Sequence, residues 1–397
     1  MSDLILTINA GSSSIKFALF GADGHAELLR GQVDGLGTHP RLTASEDGRR
    51  IVDRTYADGD GPADHGAALA AILEMLAAHR PDATVVGIGH RIVHGGPDFE
   101  TSVRLDDAIL ARLQTLCALA PLHQPHNLSG VAAARAAFPD AVQVACFDTS
   151  FHRKHPWVND TFALPRRYYD EGVRRYGFHG LSYEYIVART RELGLVEADN
   201  RLVVAHLGNG ASMCAIRHGV SVASTMGFTA LDGLPMGTRC GQIDPGVLLY
   251  LMTEKGMTAE ELTRLLYSES GLKGLSGLSN DMRDLEASDA PEAAGAIDYF
   301  VFRARRELGA MAAVLRGLDA VVLTGGIGEN AASIRHRILH DEAWLGISID
   351  DARNAENALM ISTDASPVKG YVIPTNEEAM IARQTAAILD GPAATTA

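Results

Sequence analysis

The chain has 397 residues, of which 46% are hydrophobic and 21% charged, enough for two or three domains with large buried cores. Acidic residues exceed basic ones by 14, and a net charge of −14 argues against a dedicated nucleic-acid surface or a polybasic membrane anchor. Its four cysteines, Cys117, Cys146, Cys214 and Cys240, lie outside metal-knuckle spacing and read as reduced cytoplasmic thiols; no run of 18 apolar residues spans a membrane.

The predicted elements alternate between short strands and helices. The first residues run directly into an apolar segment with no basic region before it, the pattern of a first strand and not of a signal peptide. Residues 4–8 end in Asn9-Ala10-Gly11-Ser12-Ser13-Ser14, and residues 15–20 resume a strand pattern, which predicts a hairpin with backbone N–H groups and hydroxyls at its turn. Leu69, Ile72 and Leu76 mark a helix over 67–76. A strand over 83–88 leads into Gly89-His90-Arg91-Ile92-Val93-His94-Gly95-Gly96, and one over 142–147 leads into Asp148-Thr149-Ser150. About half a chain after the first hairpin its layout returns: residues 201–207, then Gly208-Asn209-Gly210-Ala211-Ser212, then 213–216. This predicts two related α/β halves, each opening with a glycine/serine hairpin. Val301, Ala304, Leu308, Met311 and Leu315 share one helical face. The strand 320–323 follows, then Gly325-Gly326-Ile327-Gly328-Glu329-Asn330, read as a loop before a helix. Residues 391–397 read as a disordered tail. Polar loops thus sit at strand C-termini, where open α/β sheets bind ligands.

Three glycine-rich segments are candidate phosphate cradles, since glycine permits close backbone approach and aimed N–H donors. They are residues 9–14 with Lys16 behind them, 206–210, and 325–330; none matches a Walker or dinucleotide fingerprint, and each alone is more often a tight turn than a phosphate site, though the three together favour phosphate. Arg91 and Arg239 lie in glycine-bracketed loops, where a fixed guanidinium can clamp a carboxylate or a transferring phosphoryl group; the alternative is a structural ion pair. His90/His94, His123/His126 and His152/His155 have short spacings, but no H-E-x-x-H motif accompanies them and the surroundings disfavour zinc. His179, framed by Gly177 and Gly180, can donate to developing negative charge or pack beside Phe178. Asp148 and Glu377, both after strands, suit magnesium with Asn9 as a neutral neighbour, whereas Glu378 reads as a helix-start charge.

Together these segments resemble the acetokinase family, within the superfamily of sugar kinases and actin, from Leu4 to Ile388. The carrying motifs are residues 9–16, 89–96, 120–127, 147–152, 176–180, 206–210, 236–239, 325–330 and 374–378, in this order and spacing. The resemblance implies a duplicated, two-lobed, actin-like (ribonuclease H-like) α/β fold with the active-site cleft between the lobes. Residues 1–150, completed by a C-terminal helix over 379–397, would form the N-terminal lobe. Residues 151–378 would form the C-terminal lobe, with nucleotide binding and the homodimer interface. The implied activity is ATP + acetate ⇌ ADP + acetyl phosphate by direct in-line transfer with Mg2+, or with manganese as an alternative ion. Neither nucleic acid nor membrane is an implied partner.

By position, Arg91 and Arg239 would hold acetate and the transferring phosphoryl group, His179 would stabilise the transition state, and Asp148 is the essential acid. Asn9 and Glu377 would serve the metal. Lys16, Ser12 and Ser14 would meet nucleotide phosphates. His206, Leu207, Gly208, Asn209, Gly210, Asp281, Met282, Arg283, Gly326, Ile327, Gly328, Glu329 and Asn330 would line the nucleotide site. An acetate carboxylate is already a nucleophile, so Asp148 is expected to orient groups or serve magnesium and not to remove a proton. Val93, Leu122, Phe178 and a proline form the family's methyl pocket, and here Ala230 replaces that proline. A wider pocket makes propionate kinase the alternative activity. Further departures are Gln124 for asparagine, Leu181 and Tyr183 for threonine and histidine, and Cys240 and Gln242 for serine and aspartate. A sugar kinase would need a hydroxyl acceptor and a base, which paired arginines fit less well, and the motifs are further from butyrate kinase. A silent nucleotide-binding scaffold would not need Arg91, Asp148, His179, Arg239 and Glu377 together.

Overall fold

The computed structural model describes residues 2–391 apart from Ser12, Asp58, Gly59, Leu122, Ala198 and Asp341. The chain divides into two compact units, the first within residues 1–153 and 376–397, the second 154–375.

The first unit is built on an eight-stranded sheet of the described residues: β1 (Ser2–Ala10), β2 (Ser14–Gly21), β3 (Glu27–Asp34), β4 (Arg41–Glu46), β5 (Arg49–Thr55), β6 (Ala83–Ile92), β7 (Val103–Arg104) and β8 (Val142–Phe147). Their order is β5-β4-β3-β2-β1-β6-β8-β7. The second unit carries β9 (Arg201–Leu207), β10 (Ala211–Arg217), β11 (Val220–Ser224), β12 (Ala320–Thr324) and β13 (Lys369–Val372), in the order β11-β10-β9-β12-β13.

The two sheets repeat one topology. In the first, β1, β2 and β3 form an antiparallel meander, while β6 runs parallel to β1 and β8 parallel to β6. In the second, β9, β10 and β11 form the meander, with β12 parallel to β9 and β13 parallel to β12. The β1–β2 and β9–β10 connections therefore occupy equivalent hairpin positions. Arg91 near the end of β6 corresponds to Thr324 at the end of β12, and Asp148 after β8 to the residues after β13. The duplication read from two similar hairpins is thus present in the order of five strands of each sheet, β3-β2-β1-β6-β8 and β11-β10-β9-β12-β13, while β4, β5 and β7 are additions to the first.

Strand β6 runs four residues past its predicted end. His90, Arg91 and Ile92 pair with Ala145, Cys146 and Phe147 of β8, and His90 also registers with Ile8. Pairing on both sides outweighs the weak strand propensity of glycine and charged residues there. Gly87 and Gly89 face the helix Glu377–Asp390: an added Cβ would lie 2.8 Å from Leu389 at the first and 2.3 Å from the Thr385 hydroxyl at the second. Bare backbone at these two same-face positions brings that helix onto the sheet, where it buries Ile381, Ala382 and Thr385. On the other face Leu6, Ile8, Phe17 and Ile88 pack with Leu69 and Ile72 of the helix His65–His79. In the second unit the 25-residue helix Pro291–Leu315 buries Phe300, Ala304, Leu308 and Leu315, and packs on β9, β10 and β11. The segment 325–330 is itself the helix Gly325–Asn330 and not a loop before one. Gly325 takes φ +77°, and a Cβ there would lie 2.8 Å from the Leu207 carbonyl oxygen, so a sharp strand-to-helix turn replaces the loop. Among the described residues no helix is long and apolar enough to cross a membrane.

Candidate active site

In the first unit the ends of β6 and β8 and the start of the last helix bring three charges together. Asp148 is almost fully buried and accepts from Arg91 Nε at 3.1 Å (Oδ1) and from Arg91 Nη2 at 2.7 Å (Oδ2). Glu377 Oε2 lies 3.7 Å from Arg91 Nε. Burial opposes the Arg91 charge, but the Asp148 and Glu377 carboxylates outweigh it and raise the guanidinium pKa above its ordinary value. Glu377 is pushed up from 4.5 to about 7: burial raises it most, Asp148 and Glu378 add to the rise, and Arg91 and Lys16 oppose it. A buried carboxyl so reluctant to ionise suits a site that receives another cation. Asn9 and Lys16 face each other across the β1–β2 hairpin in the same unit. Among the described residues no cluster of three or more histidine, cysteine, aspartate or glutamate side chains could hold a metal. One or two carboxylates with an amide fit magnesium, which keeps waters and phosphate oxygens as its other ligands.

The neighbouring loop is tied by buried amides. Asn127 accepts from Val93 N at 3.0 Å and donates to the Ala10 carbonyl at 2.8 Å, linking the hairpin to the β6 exit. Gln124, one of the departures, accepts from His94 N at 3.2 Å and donates to its carbonyl at 3.0 Å. Gly95 N donates to the Thr149 hydroxyl at 3.0 Å. His90 and His94 serve this scaffold: burial drives their pKa values down to about 4 and about 3, the Arg153 charge adding to the second. Composition had marked these histidines only by spacing, and no sequence signal singled out the amides beyond their place in a quoted motif.

In the second unit His179 sits at φ +57°, a left-handed residue that starts the helix Gly180–Glu192. Its ring stacks on His206 with centroids 4.3 Å apart and 22° between planes. His179 Nδ1 lies 2.8 Å from Ser212 Oγ, and His206 Nδ1 lies 2.9 Å from Ser182 Oγ. A Cβ on Gly210 would lie 3.1 Å from His179 Nε2, so a side chain there would crowd that nitrogen. Arg239 Nη1 donates to the Ala230 carbonyl at 3.1 Å and lies 3.6 Å from Met236 Sδ. Gln242 accepts from Arg303 at 2.9 Å and also from Arg306, so this departure serves the Pro291–Leu315 helix.

A cavity of about 690 Å³ opens beside the second hairpin. Gly208, Asn209, Asp281, Met282, Arg283, Gly326, Ile327 and Asn330 line it, as do Asn280, Glu286 and Ala331, which sequence reasoning had not picked out. Gly237 N donates to the Asn209 carbonyl at 3.0 Å, and Asn280 donates to Asn209 Oδ1 at 3.2 Å, so the hairpin tip is held from two sides. Asp281 caps the helix Met282–Glu286 and pairs with Arg283, whose hydrogen bonds lower its pKa to about 2. Five expected residues are not in the lining. Leu207 and Gly328 are buried, and Gly210 and His206 stand at the His179 side. Glu329 turns inward, accepting from Gly325 N at 2.9 Å and Thr375 N at 3.1 Å, a staple between the ends of β12 and β13. Lys16 and Ser14 belong to the first unit, with Lys16 exposed. Of the methyl-pocket residues, Val93 is buried in the first unit, Phe178 is buried and Ala230 half-buried in the second, and Leu122 lies outside the described residues, as does Ser12.

The model of the "Acetokinase family" matches residues 4–383. An acetate kinase of Methylocella silvestris is 58% identical, with 99% of this chain and 100% of that one covered. The Porphyromonas gingivalis acetate kinase structure superposes with a TM-score of 0.89 at 36% identity, covering 98% of this chain and 100% of that one. A propionate kinase structure from Francisella tularensis gives 0.90 at 36% identity over the same shares. With the duplicated sheets, the Arg91–Asp148 pair and the glycine-lined cavity in place, these matches make the chain a member of the acetokinase family.

Proposed function

We propose that the protein phosphorylates acetate reversibly with ATP and Mg2+, giving acetyl phosphate and ADP by direct in-line transfer. The observation that carries this reading is the Arg91–Asp148 pair, a guanidinium fixed by two hydrogen bonds to a buried carboxylate. Arginine carries five N–H donors; Asp148 takes two and sets the plane of the others for a carboxylate or phosphoryl oxygen. Asp148 therefore acts by orientation, as expected where the acceptor is already an anion and needs no base. Arg239 supplies a second cation, and His179 Nε2 supplies a donor for charge developing on the transferring group. Asn9 and Glu377 would hold magnesium, which would supply charge neutralisation on the phosphate oxygens when bound. The 690 Å³ cavity takes the nucleoside; Lys16 and Ser14 are assigned to phosphate oxygens by the family resemblance alone.

Propionate is the second reading. Ala230 lacks the ring carbons of the family's proline, and the similarity to the Francisella enzyme equals that to the Porphyromonas one. A hydroxamate assay with ATP and Mg2+ against acetate, propionate and butyrate tests both; no product from any acid refutes the assignment. The four cysteines are free thiols, which supports a reducing cytoplasmic setting. The helix Pro245–Thr253 buries none of its residues and exposes Val247, Leu249, Tyr250 and Met252, which supports a homodimer. Light scattering on Leu249→Glu checks it: the variant should run at half the wild-type mass.

A further inference from the structure

The hydrogen bonds around His179 extend one residue further than the proposed reaction requires. Tyr183 stands one helical turn after His179, and its amide donates to the His179 carbonyl at 3.0 Å. The Tyr183 side chain is fully buried, and its hydroxyl is hydrogen-bonded to Ser212 Oγ. Ser212 Oγ is the atom that also meets His179 Nδ1 at 2.8 Å. Ser212 is directly opposite His206 in the β9–β10 register, so one hydroxyl joins the helix, the strand pair and the histidine.

The direction of the protons in this row follows from acid strength. A phenol is a far stronger acid than an aliphatic alcohol, so in a phenol–alcohol pair the phenol donates. Burial keeps the Tyr183 phenol protonated well above its ordinary range, with a hydrogen atom to give. Ser212, having accepted from Tyr183, directs its own proton to His179 Nδ1, and aligned donors of this kind reinforce one another. The nitrogen that accepts fixes the one that carries hydrogen. We propose that Tyr183 is a positioning residue that acts through Ser212 to hold His179 as the neutral tautomer protonated on Nε2.

Two further observations agree. The His179 and His206 rings stack face to face at 4.3 Å, an arrangement that two charged imidazoliums would oppose. The same device is repeated next to it: His206 Nδ1 meets Ser182 Oγ, which in turn lies 2.9 Å from Thr375 Oγ1. An Nε2–H at His179, on the side of the ring that Gly210 approaches, would be oriented to donate to an oxygen that gains charge during transfer. This part rests on the assignment of His179 to the transferring phosphoryl group; the tautomer itself does not.

The test is the nitrogen NMR spectrum of the full chain with labelled histidines, without substrates, the His179 signal being assigned by its loss in His179→Gln. The wild type should show a protonated Nε2 and an accepting Nδ1. Loss of one hydrogen bond from the row in Tyr183→Phe should move the tautomer ratio ~10-fold toward Nδ1–H. The same variant should lower kcat ~10-fold with KM values for ATP and acetate within about twofold, since the Nε2–H donation that the shifted tautomer weakens is made only in the transition state. Ser212→Ala should shift the ratio likewise, and serves if Tyr183→Phe folds poorly. A wild-type His179 protonated on Nδ1 overturns the proposal, as does an unchanged ratio in both variants. A wild type with the Nε2–H tautomer that phosphorylates no short carboxylic acid overturns the kinase reading and leaves the tautomer assignment standing.

Discussion

Replacing Glu377 by glutamine should strengthen the fold above neutral pH while removing phosphoryl transfer. In the unfolded chain this carboxyl titrates near its ordinary value of 4.5, whereas in the folded protein it titrates at about 7. The folded state therefore binds more protons between these values, and this group's contribution to stability is complete below pH 4.5 and is lost as pH rises to about 7. At 1.36 kcal/mol per pH unit, the loss amounts to about 3 kcal/mol at pH 8. Glutamine resembles the protonated acid in shape and cannot ionise, so Glu377→Gln avoids that cost. Urea unfolding in EDTA, which keeps metal from recharging the site, should show the two proteins alike near pH 4.5. The variant should be more stable by about 3 kcal/mol at pH 8. Activity at saturating Mg2+ should be lost, the familiar exchange of stability against function at a strained site. A variant less stable than wild type at pH 8, or a difference that does not change with pH, would refute the electrostatic account of Glu377.

Three other changes probe different parts of the molecule. Asp148→Asn removes the charge that fixes Arg91 and should lower kcat by ~10²-fold, read in the hydroxamate assay at saturating substrates; near-normal kcat would remove Asp148 from the orienting role. Ala230→Pro should lower the propionate-to-acetate ratio of kcat/KM by ~10-fold, since a methylene in an apolar pocket is worth about 1–3 kcal/mol. An unchanged ratio would mean that residue 230 does not shape the acceptor pocket. Gly325→Ala places a Cβ 2.8 Å from the Leu207 carbonyl oxygen at φ +77°, and should cost about 1–3 kcal/mol in thermal or urea unfolding, with weaker nucleotide binding. Tolerance of alanine there would show that the strand-to-helix turn is not needed.

Much of this protein is set by local pattern. Strand β8 over Val142–Phe147, the helical face of Val301, Ala304, Leu308, Met311 and Leu315, and the two glycine hairpins follow from apolar spacing and turn chemistry, which act over a few residues. The family motifs carry the reaction class for the same reason: each is a short run whose residues meet one ligand. Other features depend on partners far away in sequence. Strand β6 extends to His90 between β1 and β8 and on through Arg91 against β8, and the Glu377 helix approaches because Gly87 and Gly89 leave their face bare. Glu329, which the family resemblance placed in the nucleotide site, becomes a staple because Gly325 and Thr375 present their N–H groups to it. Tyr183 and Ser212 are 29 residues apart, and no spacing rule joins them. The net charge of −14 constrained only the outer surface. The electrostatics that matter are made by burial of Arg91, Asp148 and Glu377 within one unit, because desolvation and distance, and not residue counts, set the energy of a charge.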